Sequence, residues 1–218
     1  MRPMRSRAMT PQASTRLANE AEEQRTTLAI PSSDSHSGRA DRRQRLRQIL
    51  SDQAVIRGRR MTLVSGRVSD IYFNVKRPLF DPEAASLIAE EIVDLLRNEN
   101  IDAVGGMAMG AVPIVAAVCA KSFPSTPLPG FFVRKDVKDY GTQSLIEGRF
   151  DSGARVVLLE DVTTTGGSTL HAAKTVREAG GHVEKAIAVI DRLEGARENL
   201  AVEGIELIAL FTSDDFRT

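Results

Sequence analysis

The residues best suited to do chemistry lie together, in Val156-Val157-Leu158-Leu159-Glu160-Asp161-Val162-Thr163-Thr164-Thr165-Gly166-Gly167-Ser168-Thr169. An apolar run leads into two adjacent carboxylates, then a loop of hydroxylated residues and glycines, then a helical pattern. Arg155 to Leu159 has the composition of a central parallel strand buried on both faces. In an open α/β sheet, ligands bind beyond the carboxyl ends of such strands. Gly166 and Gly167 let backbone N–H groups come close to a phosphate, and the start of the next helix favours an anion there. Thr164, Thr165, Ser168 and Thr169 add hydroxyl donors. Glu160 and Asp161 are wrong for a phosphate but right for sugar hydroxyls or a Mg²⁺ shell. One segment thus offers separate grips for a phosphate and a ribose diol. A pair of helix caps followed by a turn would not explain the order strand, acids, loop, helix. The segment carries neither the Gly-Lys-Ser/Thr of a P-loop nor a Gly-x-Gly-x-x-Gly.

Other residue types are less telling. Cys119 is the only cysteine, which excludes an internal disulfide, and it sits in an apolar run as a small buried hydrophobe. His36, His171 and His182 form no Ser-His-Asp or metal-binding spacing. Lys+Arg and Asp+Glu balance at 29 each, so nothing global points to nucleic acid or a membrane. No apolar stretch approaches the roughly 20 residues that span a bilayer.

The elements that must hold these residues alternate. Leu46, Ile49, Leu50 and Val55-Ile56 predict a first helix, with Arg42, Arg43 and Arg47 on its solvated face. Two short β-type runs follow, Met61 to Gly66 and Ile71 to Val75, joined through Gly66 and Asp70. Asp81 caps and Pro82 starts an amphipathic helix through Leu96. A strand near Ile101 to Gly105, a buried helix from Pro113, a strand at Gly130 to Val133 and a polar mobile loop over 135–150 come next. After the acid pair the pattern gives a helix from Thr169 to Ala179 stopped at Gly180-Gly181, then strands at Ala186 to Ile190 and Ile205 to Phe211. Such alternation implies a parallel, doubly wound sheet in one domain over residues 39–218. Residues 1–38 are expected to be a disordered extension, because their composition cannot bury enough surface to offset chain entropy. Arg2, Arg5, Arg7 and Arg16 faintly suggest an organellar transit segment, but Glu20, Glu22 and Glu23 speak against it, and the expected location is the cytoplasm.

The Glu160–Ser168 segment resembles the phosphoribosyl-diphosphate (PRPP) motif of type I phosphoribosyltransferases. The resemblance covers about residue 40 to the C-terminus. It implies an α/β fold with a central, mostly parallel sheet flanked by helices and a small N-terminal hood, here residues 40–80. It also implies that Glu160 and Asp161 grip the ribose hydroxyls, that Val162, Thr163, Thr164, Thr165, Gly166, Gly167 and Ser168 hold the 5′-phosphate, and that Mg²⁺ is carried mainly by PRPP, near the acid pair.

Three further segments resemble the orotate branch. The stretch Thr62 to Asn74 is similar to its hood, with Tyr72 and Phe73 where aromatics cover the base. Val64 stands where many members have lysine. Arg134-Lys135-Asp136-Val137-Lys138-Asp139-Tyr140-Gly141 is similar to a closing loop whose cations meet the departing diphosphate. That similarity implies PRPP contacts from Arg134, Lys135, Lys138 and Tyr140. It further implies catalytic roles for Lys135, Lys138 and Asp161, and a homodimer in which Lys138 reaches the neighbouring site. Asp191-Arg192-Leu193-Glu194-Gly195 resembles an element whose arginine pairs with the orotate carboxylate; Thr164 would also touch orotate. Gly105 to Pro113 resembles the loop that binds diphosphate through its backbone in an unusual peptide geometry; Gly110 replaces a lysine found there in some members. The activity implied is transfer of phosphoribose from PRPP to orotate. A purine phosphoribosyltransferase and a PRPP-sensing regulator on the same fold are the alternatives.

Overall fold

The computed structural model describes residues 36–62, 68–135 and 144–217. The chain divides into two compact units, Met1–Ala40 and Asp41–Thr218. Of the first, only the opening of helix α1 (His36–Gln53) is described, a little ahead of the boundary expected at residue 39. Residues 1–35 of the extension expected over 1–38, and the readings made for Val64, Lys138 and Tyr140, lie outside the described residues.

The helical spacing of Leu46, Ile49 and Leu50 does not continue to Val55-Ile56, as the sequence had suggested. These β-branched residues open β1 (Val55–Thr62), which pairs antiparallel with β2 (Val68–Phe73), Val55 opposite Phe73. Asp70 is therefore part of a strand rather than a turn. A short helix, α2 (Lys76–Leu79), leads to α3 (Pro82–Leu96). Asp81 caps α3 as its sequence implies, its Oδ1 accepting from the N–H groups of Glu83 (3.0 Å) and Ala84 (2.9 Å). Arg42 corrects the reading of α1's charged face. Its guanidinium is buried on α3, donating to Glu91 and Glu90 at 2.8 Å each and to Asp94 at 2.5 Å. Burial of a cation is tolerated because carboxylates meet its donors.

The central sheet contains β3 (Ala103–Gly105), β6 (Arg155–Thr163), β7 (His182–Asp191) and β8 (Glu206–Thr212), in the order β3-β6-β7-β8 and all parallel. Between β3 and β6 come α4 (Val112–Ser122), β4 (Phe131–Val133) and β5 (Ile146–Gly148). Parallel bridges from Val104 to Gly130 and from Met107 to Val133 set β4 beside β3. β5 turns back antiparallel on β4, so part of the stretch expected as a loop is a strand. Its start is pinned by Ser144, whose Oγ accepts from Ile146 N–H at 3.1 Å, and Phe150 just beyond it packs on Phe131. Helix α5 (Gly167–Glu178) joins β6 to β7, and α6 (Ala196–Val202) joins β7 to β8. The sequence reading gave no helix at α6, which buries only Ala196 and Leu200 and shows little period.

The apolar run of β6 is explained by its two neighbours. Val157 and Leu159, with Ile187 and Val189, join one buried cluster with residues of α1, α3 and α4. Val156 and Leu158, with Ala186 and Ala188, join a second with residues of α5 and α6. Alternate side chains thus enter opposite cores, which requires a strand apolar at every position. The observed fold is the α/β parallel sheet flanked by helices that the sequence implies. No helix among the described residues is long and apolar enough to cross a membrane.

Candidate active site

The acid pair lies inside β6, not after it. Pairing with β7 continues through Glu160 opposite Ala188 and Val162 opposite Ile190 to Thr163 opposite Asp191. Successive side chains of a strand point apart, and the two acids have different surroundings. Glu160 faces α5, where Thr169 Oγ1 donates to its Oε2 at 3.2 Å. Asp161 faces α2 and the loop after β3: Lys76 Nζ is 3.4 Å from its Oδ2, and its Oδ1 accepts from Val162 N–H at 2.9 Å. Both acids are buried, at 7% and 8% exposure. Burial, then the neighbouring charge of Asp161, pushes Glu160 up to about 8.

Two loops flank the pair. The loop from Gly106 to Ala111 presses on β6 so closely that a Cβ at Gly110 would lie 2.6 Å from Asp161 Oδ1. Asp161 would have to shift to admit the lysine that some family members carry at Gly110. The Ala108–Met109 peptide bond in this loop is cis. The second loop, Thr164 to Gly166, is held from beneath by α6. Asn199 Nδ2 donates to Thr165 O at 2.9 Å, and Gly166, in the left-handed region at φ +80°, has Leu200 under it. Gly167 and Ser168 begin α5 and are exposed, so the first turn of the helix, where N–H groups lack intrahelical partners, lies at the surface.

Arg192 ties three parts of the site together. Its N–H donates to Thr163 O at 3.0 Å, and its carbonyl accepts from Ser213 Oγ at 3.2 Å. Its guanidinium contacts Glu194 Oε1 at 3.0 Å, reaches the Ile71 carbonyl of β2 at 3.4 Å and lies 5.9 Å from the centre of the Phe73 ring. The aromatic pair of the hood is divided. Phe73 is buried edge-on against Phe216, with centroids 5.6 Å apart, whereas Tyr72 is half-buried. Phe73 therefore supports Arg192 from the core.

Arg134 and Lys135 follow β4. Arg134 is half-buried with Nη1 3.6 Å from Glu147 on β5, and Lys135 is exposed. His171 and His182 are exposed, and no group of three or more potential metal ligands occurs among the described residues. Sequence reasoning missed Lys76, Asn199 and Glu194. Only for Lys76 was there a signal, a cation one position after the hood strand's apolar run.

No family model matches the chain. It is 44% identical over 179 residues to an orotate phosphoribosyltransferase of Rhodopseudomonas palustris (strain BisB18), covering 80% of this chain and 95% of the relative. It is 42% identical over 178 residues to that of Methanocaldococcus jannaschii, covering 82% and 98%. Among solved structures it is similar to Mycobacterium tuberculosis H37Rv orotate phosphoribosyltransferase in complex with PRPP, with a TM-score of 0.68, 32% identity, and coverage of 80% of this chain and 98% of that one. On these relatives, each matched over nearly its whole length, the chain belongs to the orotate phosphoribosyltransferase family.

Proposed function

We propose that the protein transfers the 5-phosphoribosyl group of PRPP to N1 of orotate, giving orotidine 5′-phosphate and diphosphate in pyrimidine nucleotide synthesis in the cytoplasm. The observation that carries this reading is Arg192, whose backbone is bonded to the phosphate-loop residue Thr163 and whose guanidinium lies beside the hood strand. A carboxylate reader next to a phosphoribosyl grip suits a pyrimidine carboxylate, not a purine. The M. tuberculosis relative in its PRPP complex supports the second half of the grip.

In this reading Asp161 and Glu160 accept the ribose hydroxyls, and Val162 to Ser168 hold the 5′-phosphate with loop hydroxyls and the N–H groups that open α5. Tyr72 and Thr164 bound the base, over Phe73. Arg134, Lys135, Lys138 and Tyr140 meet the diphosphate, so that its C–O bond breaks as orotate N1 attacks C1′ from the opposite face. The transition state is oxocarbenium-like, and the chain contributes positioning and charge. Two adjacent buried carboxyl groups, one pushed up by burial and then by the other's charge, fit a cation beside them but are too few to hold one alone. Mg²⁺ carried on the diphosphate fits that donor set, and when bound it would neutralise charge on the leaving group. The functional unit is a homodimer in which Lys138 serves the neighbouring site. Mixing Lys138→Ala chains with Asp161→Asn chains would then restore activity that neither has alone.

The test is consumption of orotate with PRPP and Mg²⁺, run beside hypoxanthine, adenine and uracil. Turnover of orotate alone is expected. Turnover of a purine instead would overturn the reading, and PRPP binding with no turnover of any base would replace the enzyme by a sensor.

A further inference from the structure

The acid pair touches a cation that the reaction scheme above leaves without a task. Lys76 opens α2, at the end of the hood segment, and its Nζ is 3.4 Å from Asp161 Oδ2. The pair is a loose one. The lysine side chain is 64% exposed while that of Asp161 is 12% exposed. A long contact with a solvated ammonium contributes little to stability. Buried carboxylates elsewhere are held more tightly, as Glu91 is by Arg42 at 2.8 Å.

Asp161 is constrained around the pair. Oδ1 is taken by Val162 N–H and backed by Gly110, which leaves Oδ2 to face outward, toward Lys76. A ribose hydroxyl that donates to Asp161 must therefore meet Oδ2 and compete with the ammonium there. The displaced ammonium sits on a flexible four-carbon stem, and the nearest strong anion is then the diphosphate on C1′, adjacent to the hydroxyl-bearing carbons. The flanking loop Gly106-Met107-Ala108-Met109-Gly110-Ala111 has no charged side chain to meet that anion. Among the described residues, Lys76 is the cation in contact with the acid pair.

Resting on the phosphoribosyl-transfer reading, we propose that Lys76 is a diphosphate-binding residue, which leaves Asp161 for the diphosphate of PRPP as Asp161 takes up the ribose hydroxyls. Lys76 thereby couples the hood to the ribose grip. It screens Asp161 before substrate arrives and supplies positive charge where the leaving group develops negative charge.

The experiment uses the full chain as wild type, Lys76→Gln and Lys76→Arg. Binding of inorganic diphosphate with Mg²⁺ and of orotidine 5′-phosphate is measured by calorimetry, and KM for PRPP and for orotate by turnover. Lys76→Gln should weaken diphosphate and raise KM for PRPP roughly ten- to a hundredfold, the size of one charge-assisted hydrogen bond. It should leave orotidine 5′-phosphate, which carries no diphosphate, nearly unchanged, and Lys76→Arg should recover most of the loss. Unchanged diphosphate affinity in Lys76→Gln would overturn the proposal. So would a parallel loss for orotidine 5′-phosphate, because a lysine that merely orients Asp161 affects both ligands through the ribose. Wild-type turnover of orotate, read in the same series, separates failure of this role from failure of the reaction assignment.

Discussion

The two ends of the central sheet handle charge in opposite ways. At the amino ends of the strands, opposite charges meet in solvent. Asp102 accepts from Arg155 three times, from the backbone N–H at 2.9 Å and from Nε and Nη2 at 3.0 Å each, and Lys185 meets Glu99 nearby. The Arg155 side chain, and then its backbone N–H, hold Asp102 down at about 2. At the carboxyl ends, two carboxyl groups are buried on adjacent residues, and Glu160 is pushed up to about 8. One end ties a connection to a strand. The other works against the folded state in the absence of a ligand, and the hydroxyls and cation of a substrate can relieve it. A local rule broken in the interior, at the end of the sheet where α/β folds bind ligands, marks the site more sharply than the well-formed pairs at the opposite end.

The sharpest way to break this contrast is Asp161→Asn. It keeps shape and removes the charge proposed to grip ribose, so kcat/KM for PRPP should fall on the order of 10²-fold or more. The Tm should hold or rise, because a like charge beside Glu160 is gone. A variant with wild-type PRPP kinetics would show that the acids only shape the strand end. Arg192→Ala comes next. Its loss should weaken orotate by roughly 2–5 kcal/mol while PRPP affinity stays nearly intact. Some stability should go as well, since Glu194 and the Ile71 carbonyl lose its guanidinium. Equal losses for both substrates would reassign Arg192 to the scaffold.

Glu160→Gln tests the buried end by pH. The folded-state value near 8 lies above the ordinary carboxylate value of 4.5, so folding holds the proton on. The associated stability is full below about 4.5 and is lost as pH rises toward 8. Gln mimics the protonated acid, so the variant should match wild type at pH 5 and exceed it in Tm at pH 9, while PRPP use suffers at both. Identical Tm profiles would mean that Glu160 is charged throughout. The smallest effect should come from the other end, with Asp102→Asn. Because Asp102 is held down, its contribution is present above the ordinary value of 3.8 and fades as pH falls toward about 2. A slight Tm deficit at neutral pH that shrinks over that range is expected for an exposed pair. A large deficit would erase the distinction between the two ends.

The sequence by itself determined the elements whose signals are short-range. The unbroken apolar run of β6 requires a strand covered on both faces, and the two clusters around Val157 and Val156 cover it. Asp81-Pro82 starts α3 because a cap and a first-turn proline act within a few residues. The order of acids, hydroxyls and glycines from Glu160 to Thr169, on which the proposed phosphoribosyl grip rests, is legible for the same reason, since strand end, loop and helix start are contiguous.

Only the tertiary structure decided what meets these elements. Lys76 reaches Asp161 across 85 positions, Arg192 reaches Ile71 across 121, and Asn199 holds Thr165 from a helix with almost no pattern of its own. Arg42 reads as a surface charge until α3 brings three carboxylates to it, and no local signal pairs Phe73 with Phe216, 143 positions on. Local periodicity records which face of an element is apolar, but not which distant element covers that face. The neighbours that tune the acid pair and orient the arginine arise only when the sheet brings the ends of its strands together.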